Sequence, residues 1–253
     1  MQRPVAIAVA LFVAILVVVG VYMQFSGGEP EPAPPPAPPP ATLPPPVAPP
    51  PPEPEPVPIV LPSLDESDVM LLSMIEGLSA HPRLADAVDI EGIARAFVMA
   101  VVAIANGESP RSTLQYLEPE DGFAIAEREG KVVIDPASFE RYTWITGVFS
   151  SLDATGVAEV YGQFEPLFDE AYRGLGYPDG RFRDALDAAM NRLASTPVPE
   201  GYVEVRRGTV LWEFRDRALE ALSPPQKHLL RMGPANARLV QSKIREIQAT
   251  LGR

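Results

Sequence analysis

The chain has 253 residues, a formal net charge of −12, 31 prolines and no cysteine. Without a thiol, cysteine nucleophiles, disulfides, thiolate zinc sites and iron–sulfur clusters are excluded. The acidity argues against nucleic acid as a partner, because negative surface repels a phosphate backbone, and no basic run offers a polybasic lipid-binding patch.

Residues 5–23, bounded by Val5 and Met23, read VAIAVALFVAILVVVGVYM and carry no charge. That length approaches the ~20 residues a helix needs to cross ~30 Å of hydrocarbon. Tyr22 falls where an interfacial aromatic is favoured. Arg3 precedes the stretch, while Glu29 and Glu31 follow it, so the positive-inside rule puts the N-terminus in the cytoplasm and the remainder beyond the membrane. A cleaved signal peptide has a shorter core of about 7–15 residues and a small-x-small cleavage site. Ser26-Gly27-Gly28 offers a weak one, crowded by Tyr22, Met23 and Phe25. The expectation is an uncleaved anchor over residues 1–28, spanning a bacterial inner membrane once, with the C-terminal domain in the periplasm.

Residues 29–62 contain 19 of the prolines. Proline has no N–H and a fixed φ, so neither helix nor sheet can form there. Polyproline II is expected, which at about 3.1 Å per residue gives a reach of up to about 100 Å. The segment reads as a spacer; PxxP ligand motifs occur in it by composition alone.

Residues 63–253 are expected to fold as a mainly α, multi-helix globular domain with one or two small β-hairpins. Ser63-Leu64-Asp65-Glu66 has a capping-box pattern and opens a helix with Val69, Leu72, Ile75 and Leu78 at helical spacing. Pro82 can begin a short second helix. Residues 90–106 are strongly apolar but include Glu91 and Arg95, and are too short to span; they predict a buried core helix. Ala103 and Ile104 are apolar, which argues against this helix lining a site.

Residues 123–135 alternate around Glu129-Gly130, predicting a hairpin. Asp135-Pro136 then starts a helix carrying Phe139, Tyr142, Trp144, Ile145 and Phe149. Residues 153–175 form the clearest amphipathic pattern, with Val157, Val160, Tyr161, Phe164, Leu167, Phe168, Tyr172 and Leu175 on one face. Pro166 predicts a kink or break near Glu165. Gly174 and Gly176 end the helix, Tyr177-Pro178-Asp179-Gly180 makes a turn, and another helix covers 182–194. Tyr202, Glu204, Val210, Trp212 and Phe214 suggest a second small strand pair. Ser223-Pro224 opens a helix, Gly233-Pro234 closes it and starts the last one, with Leu239, Val240, Ile244 and Ile247 on one face.

Chemical signatures are sparse. His81 and His228 belong to no metal-spacing motif, and no G-x-S-x-G elbow, P-loop or G-x-G-x-x-G occurs, so neither metal nor cofactor is expected. Carboxylates cluster at Asp65/Glu66/Asp68, Glu118/Glu120/Asp121, Asp169/Glu170 and Asp184/Asp187. A glycosidase needs two facing a sugar at about 5–9.5 Å, which sequence spacing does not establish. The first cluster more simply complements the positive end of its own helix; the second reads as a solvated loop. Two constellations remain as a candidate interaction patch: Tyr172, Arg173, Tyr177 and Asp179 at a helix end, and Lys227, Arg231 and Asn236 at a helix–helix corner. Aromatic and arginine side chains dominate binding hot spots, but tyrosines also pack and polar groups also cap.

Residues 61–68 (LPSLDESD), residues 170–178 (EAYRGLGYP), and Gln226-Lys227 with Leu230-Arg231-Met232-Gly233-Pro234 and Asn236 together resemble the bacterial envelope family called domain of unknown function 3014. The resemblance implies the layout of one span, a proline-rich spacer and a helical domain; it implies no reaction. The leading expectation is a non-enzymatic, membrane-tethered interaction or scaffold protein whose partner is an envelope protein or the cell wall. The alternatives are a cell-wall hydrolase using two acidic residues, and a force-transmitting protein similar to the energy transducer of outer-membrane uptake, whose terminal domain is small and β-rich.

Overall fold

Among the described residues the helices of five or more residues are, in chain order, Asp68–Glu76 (α1), Ile93–Ala105 (α2), Pro136–Glu140 (α3), Thr143–Ser150 (α4), Ala154–Gly174 (α5), Phe182–Ala194 (α6), Pro224–Arg231 (α7) and Pro234–Leu251 (α8). One antiparallel hairpin pairs Ile125–Arg128 (β1) with Lys131–Ile134 (β2); a second pairs Val205–Arg207 (β3) with Trp212–Phe214 (β4). The fold is thus mainly helical with two small hairpins. This is a computed structural model, and it describes residues 60–87, 91–114, 119, 122–209 and 212–252. The expected membrane segment lies outside the described residues, as does the expected spacer up to residue 59. Among the described residues, no helix is long and apolar enough to cross a membrane.

Helix α2 is the centre of the main core. Ile93, Phe97, Val98, Ala100 and Val101 are all essentially inaccessible, as expected for a core helix too short to span. It packs between α5 and α6. Phe97 meets Phe168 edge-on at 5.1 Å and Phe182 edge-on at 5.2 Å, the geometry that aligns ring edges with π faces.

The start of α1 departs from the expected pattern. Ser63 Oγ donates to the Glu66 carboxylate at 2.9 Å rather than capping a backbone amide. Leu64–Glu66 form a 3₁₀ turn, and the α-helix starts at Asp68. Asp68 does not serve its own helix either. Its carboxylate accepts from the N–H groups of Gly92 (2.6 Å) and Ile93 (2.9 Å), at the start of α2. Gly92 has no side chain with which to cap that end, so Asp68 supplies the missing acceptor across the fold. Asp65 instead pairs with Arg95 at 2.6 Å on the surface. The buried face of α1 is Leu71 and Ile75, while Val69 is 80% exposed. Among the described residues after Pro82 and before α2, a turn and a 3₁₀ piece, Ala85–Ala87, stand where a short helix was expected.

The first hairpin turns through Glu129 (φ 52°) and Gly130 (φ 72°), two successive positive φ values that match the strand twist. Asp135 caps α3 by accepting from the Ala137 N–H at 2.9 Å, with Pro136 in the first turn. The helix expected to continue to Phe149 is divided, with α3 ending at Glu140 and α4 starting at Thr143. Helix α5, capped by Asp153 through the Gly156 N–H (2.7 Å), runs unbroken past Pro166. Pro166 and Gly162, whose carbonyl the proline leaves without a donor, are both exposed, so water can satisfy that carbonyl.

Strands β2 and β3 lie side by side through a bridge between Val133 and Glu204 and a bond from the Ile134 N–H to the Val203 carbonyl (3.0 Å). The hairpins build a second, smaller core from Ile134, Val203, Val205, Phe214 and Leu230. On α8, Val240, Ile244 and Ile247 are buried as expected, but Leu239 is 48% exposed.

Candidate functional site

Where the two cores meet there is a cavity of about 470 Å³. Its apolar lining comes from Ile104 on α2, Ile145 on α4, Leu193 on α6, and Val240 and Ile244 on α8. Ile104 therefore faces the cavity, although its apolar neighbourhood argued against this helix lining one: the lining itself is largely apolar. Trp212 and Phe123, which pack against the smaller core, close another side. The polar lining includes Ser109, Tyr142, His228 and three arginines, Arg111, Arg141 and Arg231. No carboxylate is among the described lining residues, in a chain whose net charge is −12.

Tyr142, in the corner between α3 and α4, lies among these side chains. The Arg141 guanidinium lies 5.4 Å from its ring centroid, and the His228 imidazole meets the ring edge-on at 5.7 Å. Arg231 is close enough to interact with Tyr142 electrostatically. Arg141 is held by a 3.0 Å bond from Nε to the Ser138 carbonyl. Arg231, the last residue of α7, donates to the Trp212 carbonyl at 3.2 Å and lies 5.2 Å from the Phe214 ring centroid. It forms no ion pair with a described carboxylate. Burial pulls its pKa below the usual arginine range, opposed by the nearby charge of Glu220 and by Tyr142; arginine stays protonated in proteins regardless.

Lys227, one turn before Arg231, is tied to Glu220. Its Nζ donates to the Glu220 carboxylate at 2.7 Å and to the Glu220 carbonyl at 3.2 Å, and the same carboxylate accepts the Phe214 N–H at 2.8 Å. Burial pushes the Glu220 carboxyl up, but hydrogen bonds from Lys227 and Phe214, with the charges of Lys227 and Arg231, outweigh it and hold the group below the ordinary carboxylate range. Asn236 is buried and donates to the carbonyls of Phe139 (2.9 Å) and Met232 (2.8 Å), fixing the α7–α8 corner.

The other constellation is elsewhere on the domain surface. Tyr172 is buried and stacks on Tyr177, with centroids 4.6 Å apart and planes 2° from parallel. Burial raises its pKa, as do Tyr177 and Asp184. Arg173 and Asp179 are exposed. Of the candidate patch residues, then, Arg231 lines the cavity, Tyr172 and Asn236 are buried, Lys227 is half-buried and tied to Glu220, and Arg173, Tyr177 and Asp179 are exposed.

Asp169 and Asp187, each from one of the acidic clusters, have structural partners. Asp169 accepts the Phe182 N–H at 2.8 Å at the start of α6, and Asp187 pairs with Arg183 at 3.1 Å. Glu118, Glu120 and Asp121 lie outside the described residues. The sequence did not single out Arg141, Tyr142 or Trp212. The i, i+3 spacing of His228 and Arg231 on α7 was the one local signal, since it places both on one helix face.

No curated protein and no solved structure matches the chain. The model of a family described as "Protein of unknown function (DUF3014)" matches residues 93–248, from the first residue of α2 into the last turn of α8. That span takes in the smaller core, the larger core apart from its contributions between Leu64 and Ala87, and the described lining of the cavity, and it covers most of the chain. The chain is a member of the DUF3014 family.

Proposed function

We propose that the protein is a membrane-tethered, non-enzymatic binding protein of the bacterial cell envelope. The uncharged stretch at residues 5–23 anchors it in the inner membrane, the proline-rich residues 29–62 act as spacer, and the helical domain works in the periplasm on an envelope protein or cell-wall partner. The observation that carries the binding reading is the cavity itself. Apolar, with a few convergent polar groups, it has the make-up of a recognition site, and its described lining offers no pair of carboxylates for acid–base chemistry. A tether of this kind raises the local concentration of a binding domain at a surface and extends its reach. The mainly helical domain argues against the force-transmitting alternative, whose terminal domain is β-rich.

Two measurements test this. Alkaline phosphatase fused to the C-terminus is expected to be active and the full-length product to sediment with membranes; an inactive fusion or a product free in the cytosol refutes the topology. Purified protein incubated with peptidoglycan is expected to release no fragments. Release abolished by a single Asp or Glu substitution would establish the hydrolase instead.

A further inference from the structure

We propose that the outer edge of β1 takes up an extended segment of a partner protein as an added antiparallel strand. That segment carries a basic and an apolar residue two positions apart, facing Glu127 and Ile125. The inference names a partner class for the binding reading, on which it rests, and makes no use of the cavity.

The backbone carries it first. The strands lie side by side in chain order, so β1 and β4 are the outer edges. The Asp135 N–H donates to the Ala124 carbonyl at 3.1 Å, while the Ile134 N–H points the other way, to Val203. Alternation then turns Ala126 and Arg128 toward β2 and aims the N–H and C=O groups of Ile125 and Glu127 outward. Among the described residues, nothing pairs with those outward groups. The opposite edge is closed. On β4 the outward Trp212 carbonyl accepts from Arg231, and the outward Phe214 N–H donates to Glu220. Side chains thus cover one edge and leave the other bare, and a bare edge is a template for a further strand.

The side chains say which strand. On the face toward the smaller core, cross-strand neighbours run Ile125, Ile134, Val203 in one row and Glu127, Val132, Val205, Phe214 in the next. Ile134 and Val203 are sealed, whereas Ile125 is 38% exposed. An apolar residue opposite Ile125 would continue the row. Glu127 is exposed and has no ion-pair partner among the described residues, so a basic residue opposite it adds a favourable cross-strand pair. Arg128, on the other face, is already engaged: it donates to the Tyr202 hydroxyl at 3.1 Å. A second copy of β1 is a poorer match. Within the strand, pairing that engages both outward residues sets Ile125 against the second copy's Glu127, and brings the two Glu127 side chains diagonal to each other.

The test uses the full chain in nanodiscs of phosphatidylcholine and a fluorescein-labelled peptide, Thr-Lys-Thr-Val-Thr-Lys-Thr-Val-Thr, followed by anisotropy. Saturable binding is expected. N-methylation of the lysines and valines, whose amides would face β1, should weaken it by at least about tenfold. N-methylation of the threonines, whose amides would face solvent, should leave it unchanged. Exchanging the lysines for glutamates should weaken binding to the parent chain and restore it on Glu127→Lys, while Arg173→Gln, on the exposed surface, should change nothing. Absence of binding, equal loss with either set of N-methyl groups, or indifference to Glu127→Lys overturns the edge site; the last two would mean that an acidic chain merely attracts a cationic peptide. A second copy on the edge also overturns it, read as disulfide dimers of Ile125→Cys forming faster than those of Arg173→Cys in a chain with no other cysteine. Peptidoglycan fragments released by the same preparation would overturn the non-enzymatic reading and leave the peptide result standing, so the two failures are distinguishable.

Discussion

A Cβ placed on Gly233 would lie 2.5 Å from Cγ of Phe139. The α7–α8 corner is therefore built around the absence of a side chain. Gly233 also has φ 92° and ψ 154°, a region that is essentially closed to other residues. Gly233→Ala is expected to lower stability by about 3 kcal/mol, combining backbone strain with overpacking against the ring. Urea denaturation of the two proteins measures it; a loss below about 1 kcal/mol would mean that Phe139 moves aside cheaply.

Asp68 and Asp65 are three residues apart but should respond differently. Asp68→Ala removes the acceptor for two amides at the start of α2 and should cost about 1–2 kcal/mol, as for loss of a helix cap. Asp65→Ala removes an exposed ion pair to Arg95 and should cost under about 0.5 kcal/mol. Equal losses in denaturant titrations would contradict the cross-fold cap.

Along α1, Val69 is 80% exposed while Leu71 is fully buried. Val69→Glu should leave the denaturation midpoint nearly unchanged, whereas Leu71→Ala should cost about 2–5 kcal/mol through lost burial and the cavity left behind. The reverse order would return α1 to the face read from the sequence.

Glu220 gives a pH test. Its folded pKa is depressed, so its contribution to stability is present in full above the unfolded carboxyl value of about 4.3 and is lost as pH falls through the lower folded value. Glu220→Gln should be less stable than the parent by about 1–2 kcal/mol near neutral pH, having lost a charge-assisted hydrogen bond. The difference should shrink as the solution is acidified below the ordinary carboxylate range. Midpoints compared across that range check it; a gap that widens in acid would have the wrong sign.

The helical architecture was legible wherever pattern and punctuation agreed. Phe182–Ala194 was placed to the residue, and Asp153, Asp135 and Glu129-Gly130 did what their types predict. It was less legible where tertiary partners outvoted local signals. Val69 and Leu72 share a helical spacing with Ile75, yet the packing of Leu71 and Ile75 sets the buried face, because a nine-residue helix can rotate its apolar stripe toward whichever neighbour it meets. Pro166 reads as a break only if its helix must satisfy every carbonyl internally. The cavity was the least legible feature: Arg141, Trp212 and Arg231 are far apart in sequence, and their convergence depends on how α3, the second hairpin and α7 pack. Arg231 was recognised by residue type, and the walls that give it meaning were not.

The wall around that space is shared between unequal neighbours. Helices from the larger core form one side, and the other leans on hairpins whose own core has five buried side chains among the described residues. Small, solvent-flanked units of this kind breathe at lower free energy than the body that carries them, so the hairpins are the natural door and the bundle the frame. An occupant touching both would work as mortar, slowing amide exchange in the four strands while leaving α2, already sealed, as it was.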